Sequence, residues 1–221
     1  MPGPPPPDDR VLRVLPWLVA VGLFMENLDI SILNTAVPSI AGDLETTALS
    51  LKAVLTTYTL ALAVFIPISG WMADRYGTRR VFRTAVGLFT VGSLLCGLSV
   101  NLQMLVASRF LQGVGGAMMT PVGRIALIRA FPRSRMLSMM NFVVIPALVA
   151  PLLGPFIGGF MVHWLPWRSI FSVNIPVGVV GWWMISRYMP DYVDRAVRPL
   201  DRLGMLLFGA GIALLSYVLE V

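Results

Sequence analysis

The chain has 221 residues, of which 57% are hydrophobic and only 13% are charged, and its formal net charge at pH 7 is +6. This excess of apolar residues excludes an ordinary soluble domain, and the single cysteine excludes an internal disulfide. Runs of about 20 apolar residues are long enough to cross roughly 30 Å of hydrocarbon as helices, and such runs recur along the chain. The sequence therefore predicts an all-α, polytopic helical bundle in a membrane.

Seven apolar runs, taken in chain order, are predicted to be membrane-spanning helices. Their predicted limits are 14–38, 49–71, 81–100, 102–130, 136–162, 170–189 and 203–221. The first run is too long and too polar to be a cleaved secretory signal, so we interpret it as a retained span. The domain organisation expected from these runs is a disordered cytoplasmic tail at residues 1–13, a six-helix bundle at 14–189, a cytoplasmic linker at 190–202, and a seventh transmembrane helix at 203–221 in which the chain stops.

Positively charged residues fall almost entirely in alternate loops, which predicts the orientation of the chain. Lys and Arg in short loops remain on the cytoplasmic side of a membrane. The arginines that mark this side are Arg10, Arg13, Arg75, Arg79, Arg80, Arg83, Arg129, Arg133, Arg135, Arg187, Arg195, Arg198 and Arg202. The opposite loops carry only Lys52 and Arg168. We therefore expect a multi-pass protein of the cell inner membrane with a cytoplasmic N-terminus, and no nucleic-acid partner is needed to explain the positive charge.

The first span contains two carboxylates, Glu26 and Asp29, which are one helical turn apart and therefore share a face. In a region of low dielectric two such groups do not both ionise readily, so one of them can hold a proton. A site of this kind can hold a proton in one state and a cationic substrate in another, which is the simplest mechanism for proton-driven export. Asn34 adds a further polar group to the same span.

A short polar segment interrupts the apolar pattern between the second and third spans. Gly70 is expected to allow close approach of two helix ends, and Gly77 a turn conformation that most residues avoid. Asp74 is the only acid in the segment, and it can pair with Arg75 or Arg79 or cap a neighbouring helix N-terminus. We interpret the segment as a conformational gate. The gate residues are Gly70, Asp74, Arg75, Gly77, Arg79 and Arg80.

The fourth span carries a charge near its start. Arg109 falls a few residues inside the predicted helix, where a charge is costly and usually faces a cavity or a partner. Gln112 follows one turn later. Both residues are therefore candidate site residues.

The fifth span combines glycines with prolines. Gly154, Gly158 and Gly159 are predicted to form a small-residue face for close packing, while Pro151 and Pro155 bend or loosen the helix. Close packing with a bend suits a rocking interface between helices, although the spacing alone predicts only tight packing.

Five segments resemble motifs of the major facilitator superfamily (MFS), and within it the drug:proton antiporters with fourteen predicted spans, the EmrB/QacA type. Segment 70–80 is similar to the G-x-x-x-D-R-x-G-x-R-R loop motif, segment 109–116 to the R-x-x-Q-G-x-G-x motif of helix 4, and segment 151–159 to the G-P-x-x-G-G antiporter motif of helix 5. Segments 28–38 and 167–178 resemble the helix 1 motif and the start of helix 6 in the fourteen-span group. The resemblance runs from about Asn27 onward.

The resemblance implies a proton-coupled multidrug efflux transporter that works by alternating access, with the fold of an MFS N-terminal six-helix domain followed by the start of a seventh span. By resemblance, Arg109 helps to couple proton movement to helix motion, and Asp29 matches the helix 1 motif, whereas Glu26 lies just before that motif. The expected partners are protons, amphiphilic organic compounds and the lipid bilayer. We expect no cofactor, no metal and no enzymatic activity.

An MFS transporter places its substrate site between two bundles, and the sequence predicts only one of them. We therefore expect the chain to be a fragment, a truncated reading frame or one piece of a split transporter, inactive without a C-terminal bundle supplied in cis or in trans. Two alternatives are open: a proton-coupled metabolite importer of the same fold, and a non-transporting membrane fragment that pairs with a partner chain. An intramembrane hydrolase is disfavoured because the spans offer neither a second catalytic carboxylate on another span nor a Ser with a His at membrane depth.

Overall fold

Seven α-helices and one 3-10 helix make up most of the described chain in a computed structural model. The structure describes residues 9–47, 49–194 and 200–220. The helices are α1 (Asp9–Asp43), α2 (Lys52–Tyr76), α3 (Thr78–Gly97), α4 (Leu102–Ala130), α5 (Arg133–Trp164), the 3-10 helix (Trp167–Val173), α6 (Asn174–Tyr188) and α7 (Arg202–Glu220). These ranges contain no strand. The predicted all-α helical bundle is confirmed.

The observed helix limits differ from the predicted ones by up to five residues, most of all at the first and second spans. α4 has the predicted limits at both ends, whereas α1 begins at Asp9 instead of residue 14 and continues to Asp43 instead of residue 38. Residues 9–13, predicted as tail, therefore belong to α1. The rest of the predicted tail (1–8) and residues 195–199 of the predicted linker, which include Arg195 and Arg198, lie outside the described residues.

Within the described ranges, four helical segments are long and apolar enough to cross a membrane by themselves: Leu12–Asp43, Lys52–Tyr76, Arg133–Trp164 and Trp167–Tyr188. α3 and α4 are less apolar because each contains three arginines. In α4, Arg109 and Gln112 are buried against neighbouring helices. The side chains of Arg109 and Gln112 therefore face the interior of the bundle and not lipid.

The packing of the first three helices repeats in the second three. α1 packs along α5 and α4 along α2; α3 packs against α4 and α6 against α1; α3 also contacts α6, and α1 contacts α4. Exchanging α1 with α4, α2 with α5, and α3 with α6 converts these contacts into one another, whereas the smaller contacts of α2 with α3 and of α4 with α5 have no counterpart of similar extent. The bundle is therefore built from two related three-helix units, as in secondary transporters with internal repeats, and α7 lies outside it against α2.

Glycines let α4 lie directly against α2 and α3. A Cβ at Gly113 would lie 2.8 Å from the carbonyl oxygen of Tyr58, and a Cβ at Gly115 would lie 2.6 Å from the backbone nitrogen of Phe89. Neither position accepts a larger residue unless the helices move apart. This close packing fixes the position of α4 relative to both neighbours. It also fixes the polar side chains that lie one turn before these glycines, Arg109 and Gln112.

α5 packs along α1 through part of the predicted small-residue face. A Cβ at Gly154 would collide with the side chain of Ser31, and one at Gly158 would lie 3.1 Å from the carbonyl oxygen of Ile32. At Gly159, an added Cβ would meet no described atom within 4 Å. Gly159 therefore does not belong to the packing face, because it points about 100° around the helix from Gly158.

Pro155 frees a carbonyl group of α5, and α1 supplies a donor for it. Proline has no N–H, so the carbonyl of Pro151, four residues earlier, receives no helical hydrogen bond from position 155. The hydroxyl of Ser31 donates to this carbonyl oxygen at 3.0 Å. The loosening predicted for this stretch of helix thus provides a hydrogen bond between α5 and α1.

The 3-10 helix is anchored to the end of α1 and to the loop between α3 and α4. Trp167 Nε1 and Arg168 Nη1 both donate to Asp43 Oδ2, at 2.9 and 2.7 Å. Arg168 Nε donates to the carbonyl oxygen of Ser99 at 3.1 Å. The predicted sixth helix therefore begins as a 3-10 segment, and α6 itself starts at Asn174.

Candidate functional site

Five polar side chains meet in the interior of the bundle, and we call them the buried polar cluster. They are Asp29 of α1, Ser93 of α3, Arg109 and Gln112 of α4, and Asn174 of α6. None of them is more than 4% exposed to solvent. Buried polar and charged groups are strongly destabilising unless they are paired, so the contacts within the cluster decide whether it is tolerated.

The Asp29 carboxylate receives hydrogen bonds on both of its oxygens. Arg109 Nη1 donates to Oδ2 at 2.5 Å, and the two side chains form a buried ion pair. Gln112 Nε2 and Asn174 Nδ2 donate to Oδ1 at 2.9 and 2.7 Å. Three donors from α4 and α6 therefore converge on one carboxylate of α1, and hydrogen bonds to charged groups of this kind are among the strongest in proteins.

Gln112 links the ion pair to α3. Its Oε1 accepts a hydrogen bond from Arg109 Nη1 at 2.6 Å, and its Nε2 donates to Ser93 Oγ at 2.8 Å. Asn174 Nδ2 lies 3.3 Å from the same hydroxyl, to which it also donates. The amide groups thus connect the charged pair to three helices, and a shift of any one helix changes several bonds at once.

The guanidinium of Arg109 uses only one of its three nitrogens within the described part of the chain. Nε and Nη2 are buried without a hydrogen-bond partner there, and so is the hydroxyl of Tyr58. The Arg109 guanidinium carbon lies 4.1 Å from the centre of the Tyr58 ring, a cation–π contact with α2. Arg109 therefore keeps two nitrogens, with three N–H groups between them, available for a different arrangement of the cluster.

Glu26 lies one turn before Asp29 on α1, as predicted, but in a different environment. Its residue is partly buried, and Oε2 accepts a hydrogen bond from Thr120 Oγ1 of α4 at 2.9 Å. No ion pair to Glu26 is found among the described residues. The two carboxylates thus differ in kind, since Asp29 has a cationic partner and Glu26 has a neutral one.

Asn34 does not join the cluster. Its residue is exposed, whereas Asp29 is buried. Five residues correspond to about 140° around a helix, so Asn34 and Asp29 face different directions. Asn34 thus lies outside the buried polar cluster, and its part in proton coupling or substrate binding stays a prediction.

The predicted gate centres on a contact between α2 and α4. Arg129 Nη2 donates to Asp74 Oδ1 at 2.5 Å, and the pair is partly exposed. The predicted partners of Asp74, Arg75 and Arg79, are not those observed. The Arg75 guanidinium instead lies 5.6 Å from the centre of the Trp71 ring.

The glycines of the gate segment have different roles. Gly77 has a φ of +96°, and a Cβ there would collide with the carboxylate of Asp191, so the predicted turn conformation is confirmed. At Gly70 a Cβ would reach only Ile125, at 3.9 Å. The close approach predicted at Gly70 is therefore not observed. Arg80 is exposed.

Residues 190–194, which we call the linker segment, lie across the gate and were not anticipated there. The backbone N–H of Thr78 donates to the carbonyl of Tyr192 at 3.2 Å, and the Tyr192 N–H donates to Thr78 Oγ1 at 3.1 Å. Asp191 Oδ1 accepts a hydrogen bond from the Arg79 N–H at 3.1 Å. Partial burial raises the pKa of the Tyr192 hydroxyl, although Arg129 counteracts this. A carboxylate does cap the start of α3, as the helix dipole favours, but it belongs to Asp191 and not to Asp74.

Several contacts of the site carry no clear signal in the sequence. Asn174 is the exception, because it lies in the motif segment 167–178 and a lone amide in an apolar span is itself a signal. Ser93, Tyr58 and Thr120 are ordinary residues of membrane helices, and only the packing shows what they contact. Among the described residues, no group of His, Cys, Asp or Glu side chains is suited to hold a metal ion.

Comparison with known proteins gives a consistent result. The sequence model of the Major Facilitator Superfamily matches residues 19–219. The putative multidrug resistance protein MdtD of Escherichia fergusonii is 46% identical over 204 residues, which are 92% of this chain and 43% of the relative. The protein of the same name from Yersinia enterocolitica is 44% identical over 209 residues, 95% of this chain and 44% of that one. The chain thus spans less than half the length of these curated relatives.

Solved structures with the same arrangement of helices include two transporters. The crystal structure of the peptide transporter POT in complex with sulfate has a TM-score of 0.69 at 15% identity, covering 93% of this chain and 45% of the other. The proton:xylose symporter XylE bound to 6-bromo-6-deoxy-D-glucose has a TM-score of 0.70 at 13% identity, covering 79% and 44%. At such low identity the likeness concerns the fold alone.

Proposed function

The chain belongs to the Major Facilitator Superfamily, and from this premise we propose that it forms part of a proton-coupled multidrug efflux transporter. The substrates would be amphiphilic organic compounds, exported in exchange for protons by alternating access. The finer assignment within the proposal is the drug:proton antiporter group with fourteen predicted spans, the EmrB/QacA type. The names of the curated relatives support the efflux part of the proposal, and the five motif segments support the subgroup.

The observation that carries the proposal is the buried ion pair between Asp29 and Arg109, with Glu26 one turn away. Ionisable groups inside membrane bundles are costly and are characteristic of proton and substrate pathways. Removing the charge from one partner of a buried pair leaves the other uncompensated, at a cost of about 3–5 kcal/mol. Protonation of Asp29 would therefore disfavour the arrangement described above and favour one in which Arg109 finds other acceptors.

The two unpartnered nitrogens of Arg109 support this coupling. They can bond acceptors presented by another helix arrangement without first giving up existing hydrogen bonds. Because the cluster joins α1, α3, α4 and α6, a change of partner at Arg109 would alter hydrogen bonds that connect four helices. A bistable contact of this kind is what alternating access requires.

Glu26 is the better candidate for direct competition between a proton and a cationic substrate. It forms no ion pair with any described residue, it is only partly buried, and its observed hydrogen bond comes from a neutral hydroxyl. A cation that approaches Glu26 favours loss of the proton, and a proton favours release of the cation. In this scheme Glu26 binds either the proton or the cation, and the pair of Asp29 and Arg109 transmits the change in charge to the surrounding helices.

The gate would hold one end of the bundle in the state described here. Asp74 and Arg129 join α2 to α4, and the linker segment joins both to the end of α6. We place this end on the cytoplasmic side of the cell inner membrane, together with the N-terminus, because the arginine-rich loops lie there. The bundle at residues 14–189 is the proposed moving unit.

The curated relatives are about twice as long as this chain, so the proposal concerns a transporter in which these residues work with a second bundle. The site would then lie between the two bundles, where MFS substrates bind. That second bundle, in cis or in trans, is the proposed protein partner.

The test is dye efflux from cells that express the chain together with a second bundle. Glu26→Gln and Asp29→Asn are each expected to reduce pH-driven efflux to the background rate, since one removes the proton acceptor and the other the charge that holds Arg109. Glu45→Gln is the matched control, because Glu45 is an exposed carboxylate beyond the end of α1. Unchanged pH-driven efflux in the double variant would refute the proposed proton site. Uptake when the outside is the more acidic side, with efflux on reversing the gradient, would favour an importer.

A further inference from the structure

We propose that the outer face of α1 binds an anionic phospholipid, with its headgroup between Arg13 and Arg135 and an acyl chain in the groove between α1 and α6. The proposal requires only that the chain lies in a bilayer, and it does not depend on the transported substrate. It starts from two cavities that meet at one residue, Trp17.

The first cavity, of about 560 Å³, lies between the beginnings of α1 and α5. Arg13 and Arg135 line it, and both residues are exposed. No ion pair to either arginine occurs in the part of the chain that the structure describes. Its remaining walls are mostly apolar and include Trp17 and Phe142. Two guanidinium groups beside an apolar surface suit the phosphate group and the adjoining hydrocarbon of a phospholipid. Basic pockets between helices at the membrane surface bind anionic lipid headgroups.

The second cavity, of about 570 Å³, continues along α1 toward the middle of the bundle. It is lined by apolar side chains and glycines, among them Val21 and Met25 of α1 and Val177, Val180 and Gly181 of α6. An added Cβ at Gly181 would meet only Val86, at 3.9 Å, so the groove is open at this point. It therefore offers an apolar surface but no polar group to a ligand.

Trp17 joins the two cavities. It is 58% exposed, lines both of them, and packs edge-on against Phe142 with ring centroids 4.8 Å apart. Tryptophan is enriched at the boundary between headgroups and hydrocarbon. The position of Trp17 thus separates a charged compartment from an apolar one, as the headgroup and chain of a phospholipid require.

The length of the groove also fits one leaflet. Arg13, Trp17 and Val21 form an exposed stripe along α1, at intervals of four residues, and Phe24 of the second cavity continues it. Eleven residues of helix span about 17 Å, close to half of the roughly 30 Å hydrocarbon core. α7 packs against α2 and leaves this face uncovered.

The experiment is native mass spectrometry of the purified 221-residue chain from micelles that contain equal amounts of phosphatidylglycerol and phosphatidylcholine. We expect selective retention of phosphatidylglycerol. Two arginines near a surface favour an anionic lipid by about 1 kcal/mol each, so the Arg13→Gln/Arg135→Gln variant should bind it about thirty-fold more weakly. The control Arg80→Gln/Arg133→Gln, which changes two exposed arginines outside the cavities, should retain the preference.

A second variant tests the contribution of the acyl chain independently of the headgroup. Gly181→Phe fills the groove and should abolish retention of long-chain phosphatidylglycerol, while phosphatidylglycerol with six-carbon chains still binds. Equal retention of both lipids, or full retention by the double arginine variant, would overturn the headgroup site. Long-chain binding unaffected by Gly181→Phe, or competition by glycerol 3-phosphate as effective as that of the lipid, would overturn the groove. Loss of the lipid when a second bundle is co-expressed would assign this face to a protein interface.

Discussion

Arg109 is the largest fully buried side chain among the described residues. Its burial is possible because Asp29 supplies a negative charge and Tyr58 the face of its ring. The same burial makes the pair sensitive, since removal of either charge leaves the other in a region of low dielectric. The residue that is most costly to bury is therefore also the residue most sensitive to loss of its partner's charge.

Arg109→Gln is expected to lower the free energy of unfolding in detergent by about 3–5 kcal/mol, because it leaves Asp29 without its cation. The Asp29→Asn/Arg109→Gln double variant should cost less than Arg109→Gln alone, since it leaves no uncompensated charge. Asp43→Asn/Arg168→Gln is the control: that ion pair is partly exposed, and its loss should cost much less than the loss of the Arg109 charge. Additive costs at Asp29 and Arg109 would show that the two residues do not form a coupled pair.

For single residues, the sequence indicates which polar side chains belong to the site but not which partners they bind. Asp29, Arg109 and Gln112 stand out because a charge or amide inside an apolar run is costly, and they meet in the structure. The sequence predicts that Asp74 pairs with its neighbours Arg75 or Arg79, whereas in the structure it binds Arg129, 55 residues away. Such a partner depends on how α2 and α4 pack, which local sequence does not determine.

At the scale of the helices, small residues decide which pairs come close. α4 contacts α2 and α3 through glycines on two of its sides, and α5 contacts α1 through Gly154 and Gly158. The glycine pattern predicts that close packing occurs, but not which helix is the neighbour or which glycine faces it. Gly159 shows the limit, since it is adjacent to Gly158 in the motif, yet an added Cβ there would meet no described atom within 4 Å.

Gly158→Val is expected to destabilise the bundle by about 1–3 kcal/mol, because its side chain would press on the backbone of α1. Gly159→Val introduces the same side chain into the same helix at an open position, and should change the free energy of unfolding by no more than about 0.5 kcal/mol. Unfolding by sodium dodecyl sulfate, followed by tryptophan fluorescence, compares the two variants directly. Equal effects would show that the contact between α5 and α1 is not tight.

At the scale of the whole molecule, the six helices form two related three-helix units around the buried polar cluster. The main contacts between helices occur in pairs related by this repeat. The polar cluster lies where α1, α3, α4 and α6 converge. Hydropathy predicts the number and approximate limits of the helices but contains no information on their neighbours. The linker segment illustrates this point, because its contacts with the gate arise only once α6 has returned to the same end as α2.

The proposed orientation predicts which ends of α3 are accessible from outside the cell. Val100→Cys, beyond the end of α3, should react with a membrane-impermeant maleimide added to intact cells, whereas Tyr76→Cys, before its start, should react only in inverted vesicles. Both positions are exposed, and the native Cys96 is fully buried, so it contributes little background. The opposite labelling pattern would reverse the assigned topology.

The central claim is that a proton and a cationic compound compete for the carboxylates of α1. Its most direct test is proton release on addition of tetraphenylphosphonium to the purified transporter, consisting of these residues and a second bundle, in weakly buffered detergent. We expect release of about one proton per bound cation, as reciprocal linkage between the two ligands requires, and no release from the Glu26→Gln variant. Binding of the cation without proton release, or equal release by Glu26→Gln, would contradict the claim.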